Sequence, residues 1–283
     1  MRIVCLFFLF ISIQILNGQS TIPLSLLGVD WSQDTIAEGL YFGQMQFDDL
    51  FESKQSVSVL QVDLSKPIHA AFVYSDTNRI TSEMASDAEA LAAVNGSFFD
   101  MKNGGGVKYL KSDGNLVHRS KASTYTFWDS GAVAIDQDGF VRLIKAPEDL
   151  DWTVFNGDEQ YPDIMVSGPW ILLEGEEVAI EPVSFNTNRH PRTFACTTKD
   201  KQLKLVTVDG RNPKAQGMSI AELQILASSM DCVDALNLDG GGSTTMWLNE
   251  YGVVNHPSDN GQFDDAGERP CANIIAILAS ISN

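Results

Sequence analysis

Between residues 57 and 279 the chain is a succession of short apolar runs, rich in β-branched and aromatic residues and closed by turn residues. The runs include 57-VSVLQVDL-64, 68-IHAAFVY-74, 91-LAAVNGSFF-99, 131-GAVAID-136, 139-GFVRLI-144 and 163-DIMVSGPWILLEG-175. They continue through 193-TFACTT-198, 203-LKLVTVDG-210, 234-DALNLD-239 and 273-NIIAILA-279. Runs this short, punctuated by pairs such as Asp138-Gly139 and Asp209-Gly210, read as strands and leave little room for long helices. One helix is clear: Ser219-Ile220-Ala221-Glu222 is a capping box, Met218 and Leu223 are placed as a staple, and Leu226, Ala227 and Met230 continue at helical spacing. A second helix is expected over 82-SEMASDAEA-90. Each helix feeds a strand that ends in a polar motif, NGSFFD or NLDGGGS. The expected fold is therefore α+β: mixed or antiparallel β-sheets flanked by helices, one catalytic domain, with a surface cavity at strand ends.

The first residues, MRIVCLFFLFISIQILNG, place one Arg before an apolar run from Ile3 to Leu16. That is the pattern of a signal peptide over 1–18, and the run is short for a membrane span. The mature chain is expected to be secreted or periplasmic, with no stable membrane insertion. Residues 19–54 read as a leader packing on the domain, and 55–283 as the domain itself. The net charge of −18 argues against nucleic acid as a partner, because such a surface repels phosphate backbones. Past residue 18 three cysteines remain, Cys196, Cys232 and Cys271, which allow at most one internal disulfide; buried free thiols are the expected state. Asn95-Gly96-Ser97 is the one glycosylation sequon.

Five motifs carry polar chemistry to strand ends. In 237-NLDGGGSTTMWL-248, Asp239 leaves a buried run and is followed by Gly240, Gly241, Gly242 and Ser243. Glycines let a ligand approach the backbone, and their N–H groups with the Ser243 and Thr244 hydroxyls can form an anion nest. Taken alone, the pattern fits a plain glycine-rich hairpin equally well. In 94-VNGSFFD-100, Asn95 and Asp100 bracket Phe98 and Phe99, either a sugar platform or a turn whose aromatics serve the core. In 188-NRHPRT-193, Arg192 offers a fork of donors suited to phosphate. The stretches 207-TVDGR-211 and 268-ERPCAN-273 add Asp209, Arg211, Glu268, Arg269 and Asn273, each by default a turn with an ion pair. No G-x-S-x-G, no Ser–His–Asp order and no zinc spacing among the four histidines occurs.

In this order, NGSFFD, HPRT, VDGR, NLDGGGST and RPCAN resemble the motifs of the phosphodiester glycosidase family, over roughly residues 55–280. The resemblance implies an α+β domain that hydrolyses the bond between an α-linked N-acetylhexosamine and a phosphodiester. Carried over motif by motif, the cavity residues are Asn95, Phe98, Phe99 and Asp100; Arg192 and Thr193; Asp209 and Arg211; Asp239 through Ser243; and Arg269 and Asn273. Ser97 and Cys271 depart from the usual forms but remain small. The expected partner is a phosphorylated glycan or sugar-1-phosphodiester. A phosphate is a good leaving group, so the chemistry asks for a carboxylate on the far side of the sugar and a cationic cradle for the phosphate. Asp239 is the first candidate for the carboxylate, with Asp100 and Glu268 behind it and Asn95 beside them. Arg192, Arg211, Arg269 and the glycine N–H groups are the candidates for the cradle. No cofactor is required for this reaction, a structural Ca2+ is conceivable, and the metal question is left open. Two other readings stand beside it: a metal-assisted phosphodiesterase and a non-catalytic phosphoglycan-binding envelope protein.

Overall fold

Three sheets account for the apolar runs. The computed structural model describes residues 20–120 and 126–280; the expected signal peptide falls outside them. An eight-stranded sheet runs, in spatial order, Asp34–Ala37, Leu40–Phe47, Gln55–Val62, Leu203–Val208, Arg192–Thr198, Cys232–Asn237, Trp170–Leu173 and Glu176–Glu177. A five-stranded sheet joins Gly252–Val253, Met246–Leu248, Ala92–Asn95, Cys271–Ala279 and Ile68–Arg79. The third, also of five strands, joins Asn115–His118, Leu110–Ser112, Asp163–Ser167, Gly131–Ile135 and Val141–Lys145. Every strand pair among the described residues is antiparallel, which narrows the expected mixed or antiparallel sheets to the second kind.

Alternation along the strands explains how the sheets stack. In Gln55–Val62, Leu60 and Val62 face a core shared with Phe72, Val94, Val133, Met165 and Ile275, drawn from all three sheets. Val57 and Val59 point the other way, into a second core with Phe194, Val206 and the helix Ile220–Ser229. The large sheet is thus buried on both faces, and one continuous apolar layer ties the three sheets into a single domain. The expected capping box is present: Glu222 N donates to Ser219 Oγ at 3.3 Å and Ser219 N donates to Glu222 Oε2 at 2.8 Å. The other expected helix spans Thr81–Asp87, and a short helical turn, Ser184–Thr187, was not foreseen.

Two local expectations change. The run 163–175 is split at Gly168-Pro169, and its halves enter different sheets. The cysteines are not all free: Cys196 and Cys232 form a disulfide between neighbouring strands, whereas Cys271 is a buried thiol that burial pushes up to about 12. Alternating strand positions put both sulfurs on one face of adjacent strands, a proximity that sequence spacing does not reveal. Residues 34–47, within the stretch expected to pack on the domain, supply two strands at the edge of the large sheet.

Candidate active site at the seam between two sheets

Asp239 stands where the eight-stranded sheet meets the sheet of Ala92–Asn95. Leu238 N donates to Thr193 O at 2.8 Å, and Asp239 N donates to Gly96 O at 3.0 Å, so the chain is gripped from both sides as it leaves its strand. Asn95 is the hub of this seam. Its Nδ2 donates to Asp239 O at 2.7 Å, and its Oδ1 accepts from Thr193 Oγ1 at 2.6 Å and Thr245 N at 3.1 Å. Asn95 is fully buried, so it positions the Asp239 backbone and offers no exposed amide for glycosylation. Asn273 has a parallel role: its Oδ1 accepts from Ser97 N at 2.6 Å and its carbonyl from Gly96 N.

The glycines answer to the arginines. Gly241 has φ +65, and a Cβ there would lie 2.9 Å from Arg211 Nη2. A Cβ on Gly242 would lie 2.5 Å from Arg269 Nη2 and 2.5 Å from Asp259 Oδ1. The loop is bare so that two guanidiniums can lie on it. Arg269 is held by Asp259 through Nε at 2.9 Å and Nη2 at 2.5 Å. The Arg211 side chain makes no hydrogen bond or ion pair among the described residues; burial and the nearby Arg269 lower its proton affinity, while Asp259 and Asp239 oppose them. An arginine crowded by a like charge and making no ion pair has donors with which it can take up an anion.

Asp239 is partly exposed, yet the protein packed around its carboxyl pushes it up to about 6. Burial is the largest cause, and Ser243, the Gly240 N–H, Arg269 and Arg211 pull the other way. The Ser243 hydroxyl lies near enough to favour the charged form without making a well-formed hydrogen bond; Ser243 Oγ and Thr244 Oγ1 are buried without partners. The expected nest of N–H groups is smaller than read. Gly241 N already donates to Pro191 O at 2.9 Å, and Ser243 and Thr244 N–H groups close onto Gly240 and Gly241 carbonyls at 3.3 Å.

Several residues expected in the cavity do structural work instead. Arg192 is buried; its Nε donates to Met218 O at 2.9 Å, and its Nη2 to Phe185 O and Asn188 O at 2.5 and 3.1 Å. Burial pushes it down to about 10. Its side chain leaves the strand on the face opposite to Thr193, and therefore away from Asn95. Asp100 shapes its own loop, accepting from Lys102 N, Asn103 N and Asn103 Nδ2 at 2.8–2.9 Å. Glu268 caps the helix Thr81–Asp87 from outside, accepting from Ser82 N at 3.0 Å and Ser82 Oγ at 2.5 Å. Phe99 packs with Met84 and Trp247. Asp209 is buried and accepts from Ser56, Asn255 and His256.

Phe98, by contrast, joins a half-buried aromatic group. Its ring lies 5.5 Å from Trp128, which meets Phe127 at 5.2 Å and Phe185 at 5.5 Å, with His190 stacked 6.5 Å from Phe185. Trp128 Nε1 is buried without a partner among the described residues. Phe127 and Trp128 come from one short helical turn, Phe127–Asp129, and Phe185 from another, Ser184–Thr187, far from it in sequence, and no local pattern marked them. Among the described residues no three His, Cys, Asp or Glu side chains are grouped to hold a metal ion, and no helix is long and apolar enough to cross a membrane.

Known proteins share this architecture. The chain is 27% identical over 194 residues to mouse N-acetylglucosamine-1-phosphodiester α-N-acetylglucosaminidase, a match covering 64% of this chain and 36% of the mouse protein. It is 28% identical over 216 residues to the SPbeta prophage-derived uncharacterized protein YomE of Bacillus subtilis, covering 74% and 32%. The chain thus spans about a third of the length of these curated relatives. The zebrafish N-acetylglucosamine-1-phosphodiester α-N-acetylglucosaminidase catalytic domain, auto-inhibited by its pro-peptide, superposes with a TM-score of 0.68 at 20% identity, over 87% of this chain and 86% of that one. A hypothetical protein from Synechocystis does so at 0.63 and 16%, over 86% and 62%. The family model of phosphodiester glycosidases matches residues 88–278, a stretch that holds Asn95, Arg211, Asp239 and Arg269, and the chain belongs to that family.

Proposed function

We propose that this chain is an exported hydrolase that cleaves the bond between an α-linked N-acetylhexosamine, of the GlcNAc type, and a phosphodiester. The observation that carries the reading is that a carboxyl raised to about 6 and an arginine with no ion pair among the described residues meet at the same glycine loop. At neutral pH Asp239 is ionised and can meet the anomeric carbon, directly or through the attacking water. Water contributes its hydroxyl to the sugar and its proton to the products, so free sugar and a phosphomonoester leave. Arg211 and Arg269 face the charge that develops on the departing phosphate, where one well-placed donor is worth about 10²–10³ in rate. The aromatic group around Phe98 and Trp128 offers an apolar wall for a sugar ring. The relatives named for this activity support the substrate class. The Cys196–Cys232 bridge supports an oxidising, secreted or periplasmic setting.

The test is a product-identified assay on a GlcNAc-1-phosphodiester. Free sugar from the wild type, and a loss of about 10²-fold or more in Asp239→Asn and Arg211→Ala, is the expected result. Release of sugar phosphate would instead assign phosphodiesterase chemistry, and binding without turnover would assign a phosphoglycan-binding protein.

A further inference from the structure

Beside the loop site lies an imidazole whose orientation the fold has fixed. Asp209, at the end of the strand Leu203–Val208, accepts from Ser56 Oγ at 2.7 Å, Asn255 Nδ2 at 3.0 Å, His256 N at 2.9 Å and His256 Nδ1 at 2.8 Å. With its oxygens so occupied, the carboxylate holds the hydrogen on Nδ1 and turns Nε2 away from itself. Nε2 makes no hydrogen bond among the described residues. Phe263 stacks flat on the ring, centroids 3.8 Å apart at 7°, and Lys214 Nζ lies 5.3 Å from the Phe263 centroid. These three line a cavity of about 480 Å³ together with Lys54 and Asp48. The Lys54–Asp48 pair is 3.7 Å apart and exposed, so it competes weakly with a ligand. Asp264, also in electrostatic range of His256, is occupied by Asn260 Nδ2 and Ala266 N.

Ser56 bonds to Asp209 and not to His256, so its hydroxyl is not placed for activation by the imidazole. Two ammoniums and an oriented imidazole on one cavity suit binding, and they stand out in a chain of net charge −18. The geometry points to a second phosphoryl-binding subsite here, one that takes a phosphate borne by the aglycone of the substrate. It deepens the proposed function and rests on that reading for the identity of the aglycone. Two ammonium donors and an Nε2 bare of hydrogen, which can accept the proton of a P–OH, match a phosphomonoester better than they match the two oxygens of a carboxylate. The site also neighbours the loop site along the chain. Asp209 and Arg211 are two residues apart, which holds their Cα atoms within about 7 Å. His256 and Arg269 flank one connection, which the Arg269–Asp259 pair closes into a loop.

The experiment titrates the histidine-labelled full chain with inorganic phosphate and follows the His256 ring nitrogens by NMR, with chloride as the ionic-strength control. A saturable shift is expected, weakened about tenfold or more in a folded Lys54→Ala/Lys214→Ala protein. No saturable shift, or one equal in chloride or in the lysine variant, overturns the site. A second arm compares diesters whose aglycone carries or lacks a further phosphate. The phosphorylated one is expected to have a KM about tenfold lower, an advantage that collapses in the lysine variant. An equal KM for both diesters in the wild type overturns the aglycone assignment. If neither diester is turned over, the proposed function fails, and the phosphate titration still decides the subsite.

Discussion

Asp239→Asn is expected to stabilise the protein at neutral pH while removing its activity. In the unfolded chain this carboxyl ionises near 3.8; in the fold burial raises it to about 6. The folded state therefore holds the proton more tightly. The stability tied to the protonated form is fully present below 3.8, is lost as pH rises to 6, and is absent above that. At roughly 1.4 kcal/mol per tenfold change in proton affinity, ionising Asp239 costs the fold about 3 kcal/mol at pH 7 and above. The attraction of Arg211 and Arg269 is already contained in that balance. Asparagine keeps the shape and does not ionise, so the variant's advantage over wild type should be near zero at pH 3.5 and grow to about 3 kcal/mol by pH 7. For a chain of this size that is a Tm gain of roughly 6–12 °C. Urea unfolding of both proteins across pH 3.5–8 measures it, and the other carboxylates cancel in the difference. The wild-type kcat/KM should rise through an acidic limb near pH 6, whereas the variant should lie about 10²-fold or more lower. An advantage that does not change with pH, or a variant less stable at pH 7, would refute the argument. The second result would mean that the arginines outweigh burial and that Asp239 is a structural ion-pair partner; the first would mean that the two balance.

The remaining tests separate anchoring residues from facing ones. Arg192→Ala should cost about 3–5 kcal/mol in urea unfolding, because three carbonyls lose a buried cation. Arg211→Ala should cost under about 1 kcal/mol yet lower kcat/KM about 10²-fold or more. Glu268→Ala should lower stability by about 1 kcal/mol through the lost helix cap and change kcat/KM by less than about threefold, where a catalytic carboxylate would cost far more. Replacing both Cys196 and Cys232 by alanine opens a crosslink with a sequence separation of 36 and should cost about 4 kcal/mol by chain entropy.

What the sequence made legible was position along the chain; what it hid was direction across it. Periodicity and turn pairs located the central strands, and the capping box at Ser219 located the helix, because these are local signals; strands such as Leu40–Phe47, Leu110–Ser112 and Met246–Leu248 went unread. The five polar motifs were also rightly placed at strand ends, and the structure brings Asn95, Thr193, Arg211, Asp239, Arg269 and Asn273 to one seam. Which way each side chain points there depends on partners far away in sequence. Arg192 and Thr193 are adjacent, so their side chains leave the strand on opposite faces; one reaches the Met218 carbonyl and the other reaches Asn95. Glu268 read as a candidate carboxylate because nothing nearby shows that the helix at Thr81 begins against it. His256 was passed over because its meaning comes from Asp209, a pairing across 47 positions. A seam of this kind needs more polar residues to hold it shut than to act in it. Two sheet edges must satisfy their backbone groups while leaving one carboxylate and one arginine free. Asn95, Asn273, Arg192 and Asp209 spend their hydrogen bonds on that closure, so the residues left facing outward, Asp239 and Arg211 above all, are the ones whose replacement should change rate more than stability.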